Sequence, residues 1–77
     1  MVSSPLPCWA MDVRLRLARN VRRLRLEAGI SQEELADRAN VHRVYMSGIE
    51  RGKRNPTVVV VEGLAMALGT KAGALLE

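Results

Sequence analysis

The stretch Gln32–Gly52, QEELADRANVHRVYMSGIERG, decides the fold. Apolar residues fall at Leu35, Ala39, Val41, Met46 and Ile49, so two helical stripes face one core. Ala36 is small where the two helices must cross closely. Asn40 stands between them, and Asn tolerates the left-handed backbone of a tight turn. Ser31 precedes the first of these helices. With Glu34 it forms S-x-x-E, a capping box that satisfies free amides at a helix start. The second helix is expected over about His42 to Arg51, ending at Gly52.

Two short helices at this spacing predict a helix-turn-helix, whose second helix lies in the major groove of DNA. Val41, Met46 and Ile49 are committed to the core, which leaves His42, Arg43, Val44, Ser47 and Gly48 pointing away. Arg43 lies in the first turn, where its planar guanidinium suits guanine O6 and N7; a phosphate contact or a solvated side chain is the plainer alternative. Val44 packs on a thymine methyl or is partly buried. His42 touches a phosphate or base, or caps the helix. Base reading is therefore assigned to Arg43, Val44, Ser47 and His42. Tyr45 and Ser47 each carry a hydroxyl that reaches a phosphate, and the Tyr45 ring is free to pack against the C-terminal helices. Gly48 lets the helix approach DNA closely.

Outward from this pair, Gln32 opens its helix, where the side-chain amide and free backbone N–H groups suit a phosphate. Arg51, Lys53, Arg54 and Asn55 follow the reading helix and are the other phosphate candidates, with Tyr45. Arg25 sits at the edge of the preceding helix's apolar stripe and Glu50 follows core Ile49. They are expected to form a partly buried salt bridge that fixes the reading helix, the alternative being two solvated charges.

Residues 1–11 hold Pro5 and Pro7 without periodicity and read as a disordered tail including Cys8 and Trp9. Met11 is a second candidate start. The folded domain is expected over 12–77. Its first helix runs from about Asp12, a cap or a charge complementing the helix end, to Ala28, with Val13, Leu17, Val21, Leu24 and Ala28 buried and Gly29 as left-handed cap. Arg14, Arg16, Arg19, Arg22 and Arg23 occupy its other faces. Thr57 caps a fourth helix, about Val58 to Leu68, whose core face is Val58, Val61, Leu64, Ala65 and Leu68. A last short helix over Lys71 to Leu76 is weakened by Gly73. Val59, Val60 and Met66 lie off the core face, and Leu75 and Leu76 add to that apolar excess. A two-fold subunit contact or a wider core stripe accounts for it.

Composition agrees with a small globular DNA binder. The 77 residues are 48% hydrophobic and 26% charged, with formal net charge +4, which favours a polyanionic partner. Six of the twelve Lys and Arg lie between Arg14 and Arg25, and five between Arg38 and Arg54. One cysteine excludes an internal disulfide and suits a reducing cytoplasm. No apolar run is long enough for a membrane span, and the start lacks the basic flank of a secretory signal. One His, one Cys, and no phosphate loop or metal-ligand spacing leave no catalytic set; no enzyme, metal, cofactor or small-molecule ligand is expected.

The blocks RxLR, SQEELA and SGIERGKRNP, within Leu17 to Gly69, resemble the Cro/C1-repressor type of helix-turn-helix domain, also called the XRE family. The resemblance implies an all-α, compact five-helix bundle with the lambda-repressor-like fold, dimeric binding to inverted-repeat operators, and no cofactor. It also implies phosphate contact at Gln32, base reading around Arg43 and Val44, and the Arg25–Glu50 bridge. RVYMSGIERGKRNPT is similar to the controller proteins of restriction–modification systems, small dimers that activate and then repress their own operon. In that subgroup the residues matching Arg43, Val44, Tyr45, Ser47, Arg51, Arg54 and Asn55 face the operator. The expected partners are double-stranded operator DNA and a second copy of the chain, with RNA polymerase a further candidate. An antitoxin or phage-type repressor of the same fold, or an interaction module without DNA binding, are the rival readings.

Overall fold

The computed structural model describes the backbone of residues 8–77 and the side chains of residues 13–77. Five helices follow in order: α1 Cys8–Ala28, α2 Gln32–Ala39, α3 Arg43–Glu50, α4 Val58–Ala67 and α5 Ala72–Leu75. No strand occurs among the described residues. α2 packs on α3 and α4, α1 on α3 and α5, and α4 on α5. One core joins them. Leu35, Met46, Ile49, Leu64, Leu75 and Val21 are its fully buried side chains. Each large apolar side chain so buried contributes about 1.5–3 kcal/mol, and this core is what orients α3.

The helix ends follow local chemistry. Ser31 Oγ accepts from Glu34 N–H at 3.0 Å, and Thr57 Oγ1 accepts from Val60 N–H at 3.2 Å. Asn40 takes the left-handed conformation (φ 59°, ψ 44°), and its N–H donates to the carbonyls of Ala36 and Asp37, closing the turn between α2 and α3. Only half of the capping box forms. The Glu34 carboxylate turns instead to Arg38 Nε at 2.8 Å, four residues along the same helix. An i, i+4 ion pair on the exposed side competes for the carboxylate and wins.

Several boundaries depart from the expectation. α1 starts at Cys8, so residues 8–11 are helical rather than tail, and Asp12 lies inside the helix and is not its cap. Extending an existing helix adds one hydrogen bond per residue, and Cys8 to Met11 contain no breaker. The rest of the expected tail, 1–7, lies outside the described residues. Ala28 is exposed, because the chain turns at Gly29 and the core side of α1 ends one turn earlier, at Arg25. Val58, expected in the core, is 83% exposed: the first turn of α4 projects past its neighbours. Val60 takes the half-buried place and packs on the core. Leu75 is fully buried rather than part of a surface excess, and only Leu76 stays at the surface. Two α1 side chains hold α5 down, Asn20 Nδ2 donating to Leu75 O at 2.9 Å and Arg16 Nε to Leu76 O at 2.9 Å. Arg16 thus serves the carbonyl end of a helix, where a cation is favoured.

Candidate nucleic-acid interface

α3 is anchored on one side and open on the other. Its inner side carries Met46 and Ile49, with Glu50 beside them; all three are buried. Glu50 is the electrostatic anchor. Its Oε2 accepts from Arg25 Nε at 2.6 Å, and its Oε1 accepts from Arg25 Nη2 at 3.1 Å and from Gln32 Nε2 at 2.9 Å. Arg25 Nη1 also donates to Ile30 O at 3.0 Å. The side chains are 11% and 1% exposed, so this fork-on-carboxylate contact is sheltered from water. It ties α1, the start of α2 and the end of α3 together. Burying two charges is tolerable here because their hydrogen-bonding groups are matched, and no buried side-chain N or O among the described residues lacks a partner.

The open side carries most of the expected base readers. Arg43 and Val44 are exposed, Val44 by 60%, and Ser47 is half-buried. Arg43 Nη1 is 3.8 Å from Glu33 Oε1, an exposed pair that does little to fix either side chain. The guanidinium is therefore free to leave for a better acceptor. His42 is the N-cap of α3: its Nδ1 accepts from Val44 N–H at 3.2 Å. Among the roles weighed for His42, capping is the one the geometry displays.

The expected phosphate contacts divide. Arg51, Lys53, Arg54 and Asn55 are all exposed and follow directly on α3. Gln32, by contrast, spends one amide hydrogen on Glu50. The α2 amides that would meet an anion beside it are those of the helix start. Tyr45 is half-buried with its ring on the core, and the Arg54 guanidinium lies over that ring, 5.6 Å from the centroid. Gly48 does not present bare backbone to a ligand. It is buried, and the nearest atoms to a side chain placed there belong to Arg54. The sequence reading did not find this contact, nor the Gln32–Glu50 bond. A glycine in the middle of an otherwise good helix was the available signal for the first.

Of the expected subunit-contact residues, Val59 and Met66 stand 76% and 74% exposed, and Val58 joins them. Val60 is less exposed than these, half-buried against its own core. Among the described residues no group of three or more His, Cys, Asp or Glu stands close enough to hold a metal ion. Nor is any helix among them long and apolar enough to cross a membrane.

Comparison with known proteins gives this geometry its relatives. The helix-turn-helix domain family matches residues 16–77. An uncharacterized HTH-type transcriptional regulator, y4dJ of Sinorhizobium fredii (strain NBRC 101917 / NGR234), is 48% identical over 59 residues, 77% of each chain. The control protein C.BamHI of Bacillus amyloliquefaciens is 40% identical over 67 residues, 86% of this chain and 83% of that one. Among solved structures, the restriction–modification controller protein C.Esp1396I, crystallised as a tetramer with its natural 35 base-pair operator, superposes with a TM-score of 0.75 at 33% identity. That match covers 82% of this chain and 83% of the other. An anchored α3, a left-handed turn at Asn40 and these relatives agree, and the chain belongs to the helix-turn-helix domain family, in its Cro/C1 (XRE) branch.

Proposed function

We propose that this protein is a transcriptional regulator that reads specific double-stranded DNA as a homodimer, and that it is the controller of a restriction–modification operon. One observation carries the reading: α3 is clamped by Arg25, Glu50 and Gln32 while Arg43 and Val44 stand exposed, with Arg51, Lys53, Arg54 and Asn55 alongside. Rigid support behind an exposed, donor-rich face is what base readout requires. The basic loop supplies affinity through phosphates and fixes register, while Arg43, Val44 and Ser47 supply discrimination at base edges. The exposed Val58, Val59 and Met66 form the subunit contact. Two recognition helices then sit about 34 Å apart, one turn of duplex, and match an inverted repeat. The family's controller members, C.BamHI and C.Esp1396I among them, support the operon assignment. The protein acts in the cytoplasm without catalysis or a cofactor, and RNA polymerase is the further partner that activation would require.

The test is a titration of the duplex lying upstream of the protein's own reading frame against a scrambled duplex, at several salt concentrations. Tighter binding to the upstream duplex, steeply weakened by salt, is expected. Equal binding to both would remove sequence reading. A neighbouring methyltransferase and endonuclease gene pair is expected, and a toxin gene in that place would reassign the operon.

A further inference from the structure

Arg54 leaves the loop after α3 and doubles back over it. Its guanidinium carbon stands 5.6 Å from the Tyr45 ring centroid, and its stem crosses Gly48. A Cβ on Gly48 would lie 2.7 Å from Arg54 Cγ, 3.1 Å from Nε and 3.4 Å from Cδ. Carbons that are not bonded do not approach to 2.7 Å, so any other residue at 48 would dislodge the stem. At about 100° per residue, Gly48 is on the opposite side of α3 from the buried Met46. It is nonetheless buried, and the side chain over it is that of Arg54. Glycine is disfavoured in a helix interior, and here the missing side chain makes room for another residue's.

We propose that Gly48 and Tyr45 form a seat that holds the Arg54 guanidinium on the outer side of α3. Arg54 then meets DNA as a fixed donor of the recognition helix rather than as a loose arm of the loop. This rests on the DNA-reading function above. A free arginine loses rotamer freedom when it engages a phosphate or base edge, whereas a seated one has already lost it. The ring meets the guanidinium from one side only and leaves N–H groups on its open side to donate. Arg54 is the contacting residue. Gly48 and Tyr45 position it.

The experiment uses a duplex enriched by the wild-type protein from a random-sequence library, read by fluorescence anisotropy. Gly48→Ala should melt no lower than wild type, since alanine favours the helix. It should weaken binding by about fivefold to thirtyfold for a dimer on two half-sites, from the loss of one cation–π seat per protomer. In an Arg54→Ala background the same change should have no further effect. By NMR, the Arg54 methylene protons should be shifted upfield by the Tyr45 ring in wild type and in Tyr45→Phe, and released in Gly48→Ala. Wild-type affinity in Gly48→Ala overturns the seat. So does an equal loss in both backgrounds, because the new methyl would then clash with DNA directly. If Gly48→Ala fails to fold, the wild-type shift decides: unshifted methylenes overturn the seat. A wild type that enriches no duplex sinks the DNA reading instead, and the same shift still tells whether the seat exists.

Discussion

Glu50→Ala probes the anchor beneath the reading helix. The substitution removes the acceptor of three hydrogen bonds, two from Arg25 and one from Gln32. Summing them as charge-assisted bonds at about 1.5–3 kcal/mol each overshoots, because the donors do not all stay buried. Gln32 is half-buried at the surface and regains water, and Arg25 Nη1 keeps Ile30 O. What remains is a guanidinium, 89% covered, with no counter-charge, a situation that costs about 3–5 kcal/mol. Native domains are stable by only about 5–15 kcal/mol, and small ones sit low in that range. At about 4–8 °C per kcal/mol for a domain this size, the melting temperature should fall by roughly 12 °C or more. Far-UV circular dichroism melts at one fixed protein concentration are the assay, since dimerisation would otherwise move the midpoint. Arg25→Met with Glu50→Leu should recover much of the loss, because an apolar pair needs no desolvation. A Glu50→Ala protein within about 1 kcal/mol of wild type would refute the argument, as would a double variant no better than the single one.

Three further outcomes are expected. Arg43→Ala should leave the melting temperature almost unchanged, within about 0.5 kcal/mol, yet weaken operator binding by about 1–3 kcal/mol per half-site and scrambled-duplex binding far less; equal losses in paired titrations would demote Arg43 to a backbone contact. Val59→Glu should give a folded monomer in sedimentation at micromolar concentration, because this side chain is 76% exposed and only the subunit contact has to bury the new charge; a dimeric variant would remove this face of α4 from the interface. Asn20→Ala should loosen α5 by about 1 kcal/mol through the lost bond to Leu75 O, seen as faster amide exchange in α5 with α2 and α3 unchanged; unchanged α5 protection would show that Leu75 burial alone holds that helix.

What the sequence made legible was one-dimensional chemistry. Ser31, Asn40, Thr57 and Gly29 act on amides and carbonyls within a few residues of themselves, so their roles follow from spacing. Leu35, Met46, Ile49 and Leu64 follow from the helical period. The errors lie where period alone is asked to place a residue in a helix's first or last turn. Val58, Ala28 and Asp12 have the right phase or the right chemistry, but no neighbour lies beside the end turns, or the helix begins earlier.

The site was less legible for a different reason. Side chains with several donors or acceptors choose among partners from separate elements, and three-dimensional proximity makes the choice. Glu34 had Ser31 N–H and Arg38 within reach, and took the arginine. Gln32 had a prospective phosphate and Glu50, and one of its hydrogens went to Glu50. Glu50 lies 18 residues from Gln32 and 25 from Arg25, so no spacing rule connects the three. The Gln32 commitment bears on the proposed DNA contact. By giving one hydrogen to Glu50, the Gln32 side chain locks the start of α2 to the end of α3, so the α2 amides and the α3 residues proposed to read bases move as one body. A phosphate gripped at the start of α2 would thereby set the depth at which Arg43 enters the groove. The anchor gives up part of one contact and gains a fixed geometry for the others.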